Sequence, residues 1–262
     1  MTYRLRDLES SRHIYIESEC MENILAKHKE TWENKKILRV IYEEWYKKII
    51  DSLSRVEGRT VELGAGSGNF KEYMPEVISA DIDKCDWLDM CFDAHNMPFE
   101  NDSLANIVMI DVLHHLYNPV QFLNEAHRVL KKEGRVIMLE PFPSPFSLQI
   151  YKRFHPEPFI FDVDYFSKTG LQDKDPWDSN QAIPYLLFFK NADKFSDDFE
   201  EKFSIVEKEK LSFILYPASG GFENKAMIPD AMISPFRILE KALTPLSSLL
   251  AFRCYVVLEK KV

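Results

Sequence analysis

The chain has 262 residues, 45% hydrophobic and 29% charged, with a formal net charge of −9 and a pI near 5.4. That length suits one large domain or a domain with a sizeable insertion. The acidic balance disfavours nucleic acid as a partner, because phosphate binding needs a basic footprint. No apolar run reaches the ~18 residues of a bilayer span, and the start Met-Thr-Tyr-Arg-Leu-Arg lacks the apolar core of a signal peptide. Cys20, Cys85, Cys91 and Cys254 are scattered without a C-x-x-C pair, so the expectation is a cytoplasmic protein with free thiols.

Residues 1–56 read as helical. Apolar residues recur at helical spacing through Ile37, Leu38, Ile41, Tyr42, Trp45, Ile49 and Ile50, and neither glycine nor proline interrupts them. Tyr42, Trp45 and Tyr46 either cover a ligand at the following turn or simply fill the core. The stretch Val61-Glu62-Leu63-Gly64-Ala65-Gly66-Ser67-Gly68-Asn69 then predicts a buried strand, a glycine-rich turn and a helix start. Glycine tolerates positive φ and lets a ligand approach the backbone. A dinucleotide fold wants G-x-G-x-x-G, but the third glycine falls one position early and Asn69 takes its place. A nicotinamide-dependent oxidoreductase is therefore the weaker reading. Glu62 suits a ligand carrying a positive group rather than phosphates.

A second strand is expected to end at Asp81, an acidic residue placed to accept hydrogen bonds from ribose hydroxyls; Asp83 competes for this role. The stretch between Asp83 and Asp89 is too short for a crossover helix. Asp93 is expected to close a third strand, where its carboxylate either takes a purine amine, with the Ala94 N–H facing a ring nitrogen, or caps the next turn. Leu104–Asp111 is an apolar run typical of a central parallel strand. Asn118-Pro119 starts a helix, which is expected to stop at Gly134. Arg135–Glu140 reads as a fifth strand. Glu62, Asp81, Asp93, Asp111 and Glu140 thus fall at the carboxyl edge of one doubly wound sheet, where ligands bind.

These residues carry a resemblance. Glu62–Gly68 (Glu-Leu-Gly-x-Gly-x-Gly), Asp93–Phe99 (Asp-Ala-x-x-x-Pro-Phe), Val112–Leu116 (Val-Leu-His-His-Leu) and Glu125–Gly134 together resemble the class I S-adenosylmethionine-dependent methyltransferases, over about a third of the chain. The segments Leu38–Tyr46, His155–Pro158 and Ser179–Ala182 look like a bacterial subgroup often associated with surface-polysaccharide assembly. The resemblance implies S-adenosylmethionine as cofactor. Gly64, Ala65 and Gly66 would line its methionine moiety, with Glu62 near the amino group. Asp81 and Ile82 would hold the ribose, Asp93 and Ala94 the adenine, and Asp111 would sit near the sulfonium. Two departures stand out: the crossover helix between Asp81 and Asp93 is missing, and Glu133 replaces a common glycine, a change expected to be neutral.

The fold expected is α/β: a Rossmann-like, seven-stranded, mostly parallel sheet with an antiparallel final hairpin at Lys202–Glu209 and Ala251–Leu258. An N-terminal helical cap spans 1–56, and the donor-binding half spans 57–141. A proline- and aromatic-rich lid covers 142–180. The remaining core spans 181–262, with a crossover helix over Gln181–Lys190 and a second insertion at 217–250. Residues 233–250 either form a helical pair packed on the lid or touch a membrane surface weakly.

The expected acceptor is a small molecule, sugar or lipid-linked glycan. His115, His155 and Glu140 are the candidate bases, with His114 and Glu157 beside them. No metal-ligand spacing stands out, so metal-independent transfer is expected. Asp111-Val112-Leu113 does not match the Asn/Asp-Pro-Pro-Tyr/Phe pattern of DNA amino-methylating enzymes. The sequence also leaves open a module that binds the donor without transferring a methyl group.

Overall fold

The computed structural model describes residues 24–166 and 178–261. The expectations for residues 1–23 and for the part of the lid at 167–177 lie outside the described residues. Seven strands form one sheet in the order β3-β2-β1-β4-β5-β7-β6. They are β1 (Arg59–Leu63), β2 (Ile78–Asp81), β3 (Met90–Cys91), β4 (Leu104–Ile110), β5 (Leu130–Pro141), β6 (Phe203–Leu211) and β7 (Arg253–Lys260). The pairs among β1 to β5 are parallel. β7 runs antiparallel to both β5 and β6.

Alternation along the central strands explains the two-layered cover. Ile107 and Met109 of β4, and Val136 and Met138 of β5, pack into one core. Val108, Ile137 and Leu139 pack into the other. Side chains alternate between faces along a strand, so strands apolar on both faces must be covered on both. The first core is closed by α3 (Pro119–Val129) and by a helical stretch comprising α5 (Ile183–Tyr185), a π turn at Leu186–Lys190, and α6 (Ala192–Phe199). The second is closed by α1 (24–34) and α2 (Lys36–Asp51), whose residues Ile37, Leu38, Ile41, Tyr42, Trp45, Tyr46 and Ile49 are all buried.

Some local expectations change. The glycine turn is followed by one 3-10 turn, Asn69–Glu72, not by a longer helix. α2 occupies the neighbouring space, packing with Phe70, Met74 and Val77. Asp93 lies two residues beyond the very short β3. α3 is capped by Asn118, which accepts from the Gln121 N–H, with Pro119 in the first turn. It ends at Val129 rather than Gly134. Leu130 already pairs with Leu104, and the register then shifts so that Asn106 pairs with Arg135. The intervening residues bulge, and Glu133 takes a φ of 62°. The glycine-to-glutamate departure is therefore not neutral for the backbone, because this left-handed region disfavours residues with a Cβ.

Beyond β5, Ser144 caps α4 (Pro145–Phe154) by accepting from the Ser147 N–H. Residues 155–166 follow without regular structure. Asn180 ties them down: its side chain accepts from the Ile160 N–H and donates to the Ile160 carbonyl and to Tyr165 Oη, at 2.8–2.9 Å. Its own N–H donates to the His114 carbonyl. Between β6 and β7 come α7 (Leu215–Ser219), α8 (Ile233–Ala242) and α9 (Ser247–Leu250). Pro235 sits in the first turn of α8 and does not break it, whereas Pro245 lies in the 3-10 turn separating α8 from α9. Among the described residues, no helix is long and apolar enough to cross a membrane.

Candidate active site

The carboxyl ends of β1, β2 and β4 open into one cavity of about 1430 Å³. β1 delivers Glu62, then turns at Gly64 and Gly66, with φ of 64° and 50°. A Cβ at Gly64 would lie 2.3 Å from Val112 Cγ2, so the turn requires glycine there on steric grounds as well. Asp81, at the end of β2, accepts from the Gly66 N–H at 2.9 Å and from the Asp83 N–H at 3.2 Å, one bond to each carboxylate oxygen. The Ile82 N–H also acts on this carboxylate, whose roughly four acceptor sites still leave room for a further donor. Burial raises the Asp81 pKa, against the pull of these backbone hydrogen bonds.

Glu62 is the most distinctive group. It is 5% exposed, and its Oε2 finds no hydrogen-bond partner among the described residues. Burial, reinforced by the charge of Asp81 and opposed by Lys71, pushes its pKa up to about 8. An unpaired buried carboxylate is costly. A ligand ammonium placed against it would satisfy it.

Asp93 Oδ1 caps its own turn, accepting from the His95 N–H at 2.8 Å and lying 2.6 Å from His95 Nδ1. The capping alternative thus describes the side chain in this structure. Asp111 follows β4 with a φ of 60° and pairs with Arg253 of β7. Arg253 is 1% exposed and lies over the rings of Tyr216, at 4.6 Å, and Trp45, at 5.3 Å. Burial works against its charge, but Asp111 and the neighbouring tyrosines hold its pKa well above the ordinary arginine value. The sequence reasoning missed Arg253. The available signal was its position as the lone charge between Lys241 and Glu259.

The histidines form a second wall. His114 Nδ1 lies 2.7 Å from Glu140 Oε2, and its Nε2 lies 3.4 Å from Glu157 Oε2. His115 Nε2 lies 3.9 Å from Glu157 Oε1. Glu140 Oε1 accepts from the N–H groups of Val112 and Leu113, so both its oxygens hold the 3-10 turn that carries the histidines. Burial disfavours charge on His114, but its bonds to Glu140 and Glu157 prevail and raise its pKa to about 9. Burial likewise opposes charge on Glu157, yet His114 and His115 pull its pKa well below the usual carboxylate range.

Gln181 Nε2 donates to Glu157 Oε2 at 3.0 Å and lies 2.8 Å from His155 Nδ1. A nitrogen facing the carboxylate must donate, so His155 Nδ1 is an acceptor and the neutral ring carries its proton on Nε2. Burial lowers the His155 pKa, in keeping with a neutral ring.

Glu62, Gly64, Ala65, Gly66, Asp81, Ile82, Asp93, Ala94, Asp111, His115 and His155 therefore all line one cavity. Glu140 does not line it; it stands behind His114.

A parallel sheet whose last strand inserts antiparallel between its neighbours is distinct from the all-parallel 3-2-1-4-5-6 dinucleotide fold. Residues 61–138 match the family described as Methyltransferase domain. An uncharacterized protein of Methanocaldococcus jannaschii is 29% identical over 118 residues, covering 37% of this chain and 56% of that protein, so the match spans little more than half the relative's length.

Among solved structures, a SAM-dependent methyltransferase from Thermotoga maritima aligns with a TM-score of 0.51 at 16% identity, over 92% of this chain and 100% of that one. A chain from a complex of a methyltransferase and its activator, from Haloferax volcanii, aligns with a TM-score of 0.51 at 14% identity, over 92% and 98%. At these identities the structural likenesses speak to the fold. Residues 61–138 thus match a methyltransferase domain, set in the fold that the chain shares with these structures.

Proposed function

We propose that the chain transfers the methyl group of S-adenosylmethionine to an oxygen or nitrogen of a small molecule, sugar or lipid-linked glycan in the cytoplasm. The observation that carries this reading is the size and make-up of the cavity. Its volume of about 1430 Å³ exceeds the ~300–1,000 Å³ of a single-ligand pocket. The acidic glycine-turn wall and the histidine wall face the same space.

In this reading Glu62 takes the donor's ammonium, and Gly64, Ala65 and Gly66 pass close along its methionine chain. Asp81 accepts from the ribose hydroxyls beside Ile82. Asp93 and Ala94 meet the adenine, and Asp111, steadied by Arg253, lies near the sulfonium. When bound, the donor supplies a methyl on positively charged sulfur; the acceptor's lone pair forms the new bond as the carbon–sulfur bond breaks, releasing S-adenosylhomocysteine. The donor is already activated and needs no metal for this step, so positioning supplies much of the rate. An acceptor hydroxyl loses its proton to the histidine wall, with His115 as the base. Glu140 orients His114, and His155 donates a hydrogen bond from Nε2. The described residues 142–166 serve as the lid over the acceptor. Phe146 and Phe154 are exposed and also line the cavity, and Leu246 and Leu249 of the second insertion are exposed as well. The exposed aromatics at the cavity suit a lipid-linked acceptor, and the exposed leucines of the insertion suit a weak contact with a membrane surface.

The test is incubation with methyl-labelled S-adenosylmethionine and extract of the source cells, followed by counting label in lipid, polysaccharide, small-molecule, RNA and protein fractions. Label in the lipid, polysaccharide or small-molecule fraction is expected. Label confined to RNA or protein would overturn the acceptor class. Binding of S-adenosylhomocysteine with no transfer to any fraction would favour a donor-binding module.

A further inference from the structure

The two walls of the cavity differ in kind. The donor wall carries carboxylates, of which Glu62 has an oxygen without a hydrogen-bond partner among the described residues. The other wall converges three ligand-type side chains, His114, His115 and Glu157, whose ligand atoms all lie within 4.8 Å of one another. They come from different parts of the chain: the histidines from the turn after β4, the glutamate from the irregular segment after α4. Both imidazoles present Nε2 to the same carboxylate, at 3.4 and 3.9 Å.

We infer that His114, His115 and Glu157 bind one divalent first-row transition-metal ion through His114 Nε2, His115 Nε2 and a Glu157 carboxylate oxygen. Metal–nitrogen and metal–oxygen bonds of about 2.0–2.2 Å place neighbouring tetrahedral ligands about 3.3 Å apart. The two histidine–carboxylate separations, 3.4 and 3.9 Å, lie near that value, and the histidine nitrogens lie within 4.8 Å of each other. The surroundings are also those of a metal ligand. His114 directs Nδ1 onto Glu140, 2.7 Å away, which fixes the ring and aims Nε2 at Glu157, so an ion would take the place of the Nε2 proton between them. Glu157 is held by Gln181, which is itself 1% exposed.

Two imidazoles and one carboxylate select zinc, iron, cobalt or manganese over calcium and magnesium, which take oxygen ligands. Three protein ligands leave an open position, and all three residues line the cavity. An acceptor hydroxyl bound there would be acidified by the ion and lose its proton to solvent water in the open cavity, so that in the ion-loaded chain His115 serves as a ligand in place of the base role given above. The inference thus deepens the acceptor half of the proposed function and rests on that reading of the cavity. The ion would also pin the 155–158 segment to the end of β4.

The experiment titrates Co(II) into the full chain after treatment with a chelator, following visible absorption and heat. One ion per chain is expected, with nitrogen/oxygen-ligand bands and no thiolate charge-transfer band. His115→Ala and Glu157→Gln should each weaken binding at least tenfold while S-adenosylhomocysteine affinity stays within twofold, which reports that both variants fold. No stoichiometric uptake, uptake through thiolates, or uptake unchanged in both variants would overturn the site. Stoichiometric Co(II) binding by a chain that fails to bind S-adenosylhomocysteine would leave the ion site standing and remove the donor reading instead.

Discussion

At the scale of single residues, Glu62 and Asp81 make the donor wall testable. The folded chain holds a proton on Glu62, with its pKa near 8, that the unfolded chain releases near the ordinary value of 4.5. Stability therefore falls as pH rises from about 4.5 to 8, by up to about 1.4 kcal/mol per pH unit from this group. Glu62→Gln should flatten that slope in denaturant titrations. A donor ammonium against Glu62 would favour the ionised carboxylate, so binding at pH 7 should release close to one proton. Calorimetry of S-adenosylhomocysteine in buffers of different ionisation enthalpy reads this directly, and Glu62→Gln should abolish it. Asp81→Ala should weaken donor binding by about 1–3 kcal/mol, because it removes charged acceptors and frees the Gly66 N–H. Unchanged affinity would mean that the ribose lies elsewhere. Glu62 was visible in the sequence because it stands two residues before the glycine turn, and Asp81 because it ends the apolar run of the next strand. Arg253 was not, since only strand pairing brings residue 253 beside residue 111.

At the scale of elements, the bulge into β5 and the Asn180 tether can be tested. Glu133 occupies the left-handed region, so Glu133→Gly should raise stability by about 0.5–1 kcal/mol, the strain relieved less the entropy glycine adds to the unfolded chain. A lower melting temperature would mean that the Glu133 side chain stabilises the bulge by more than its backbone costs. Asn180→Ala removes bonds to both backbone groups of Ile160 and to Tyr165. It should cost about 1–3 kcal/mol and speed amide exchange at Ile160. Donor affinity should hold while turnover drops, because the tether serves the segment bearing His155 and Glu157. α2 and α3 were readable from periodicity and capping residues. The early end of α3 was not, because it follows from pairing of Leu130 with β4 rather than from any local stop signal.

At the scale of the whole molecule, the Asp111–Arg253 pair joins the middle of the sheet to its penultimate strand beneath the cavity. Arg253→Met would leave Asp111 facing the site without its cation. The pair is buried on the arginine side and one-third exposed on the aspartate side, so the loss should be about 2–3 kcal/mol, below the full cost of breaking an enclosed pair. Chemical denaturation measures it, and a loss under about 0.5 kcal/mol would show that solvent replaces the guanidinium without cost.

The sequence by itself determined the doubly wound sheet, the acidic carboxyl edge and the glycine turn. Each depends on short-range patterning: alternation within strands, helical spacing, and the positive φ that glycine permits. Only the tertiary structure decided which polar groups meet. His114 and Glu140 lie 26 positions apart, Asp111 and Arg253 lie 142 apart, and Glu157 reaches both histidines from a segment without regular structure. Such contacts are set by sheet register and by where a long insertion is tethered. Neither leaves a periodic trace in the chain.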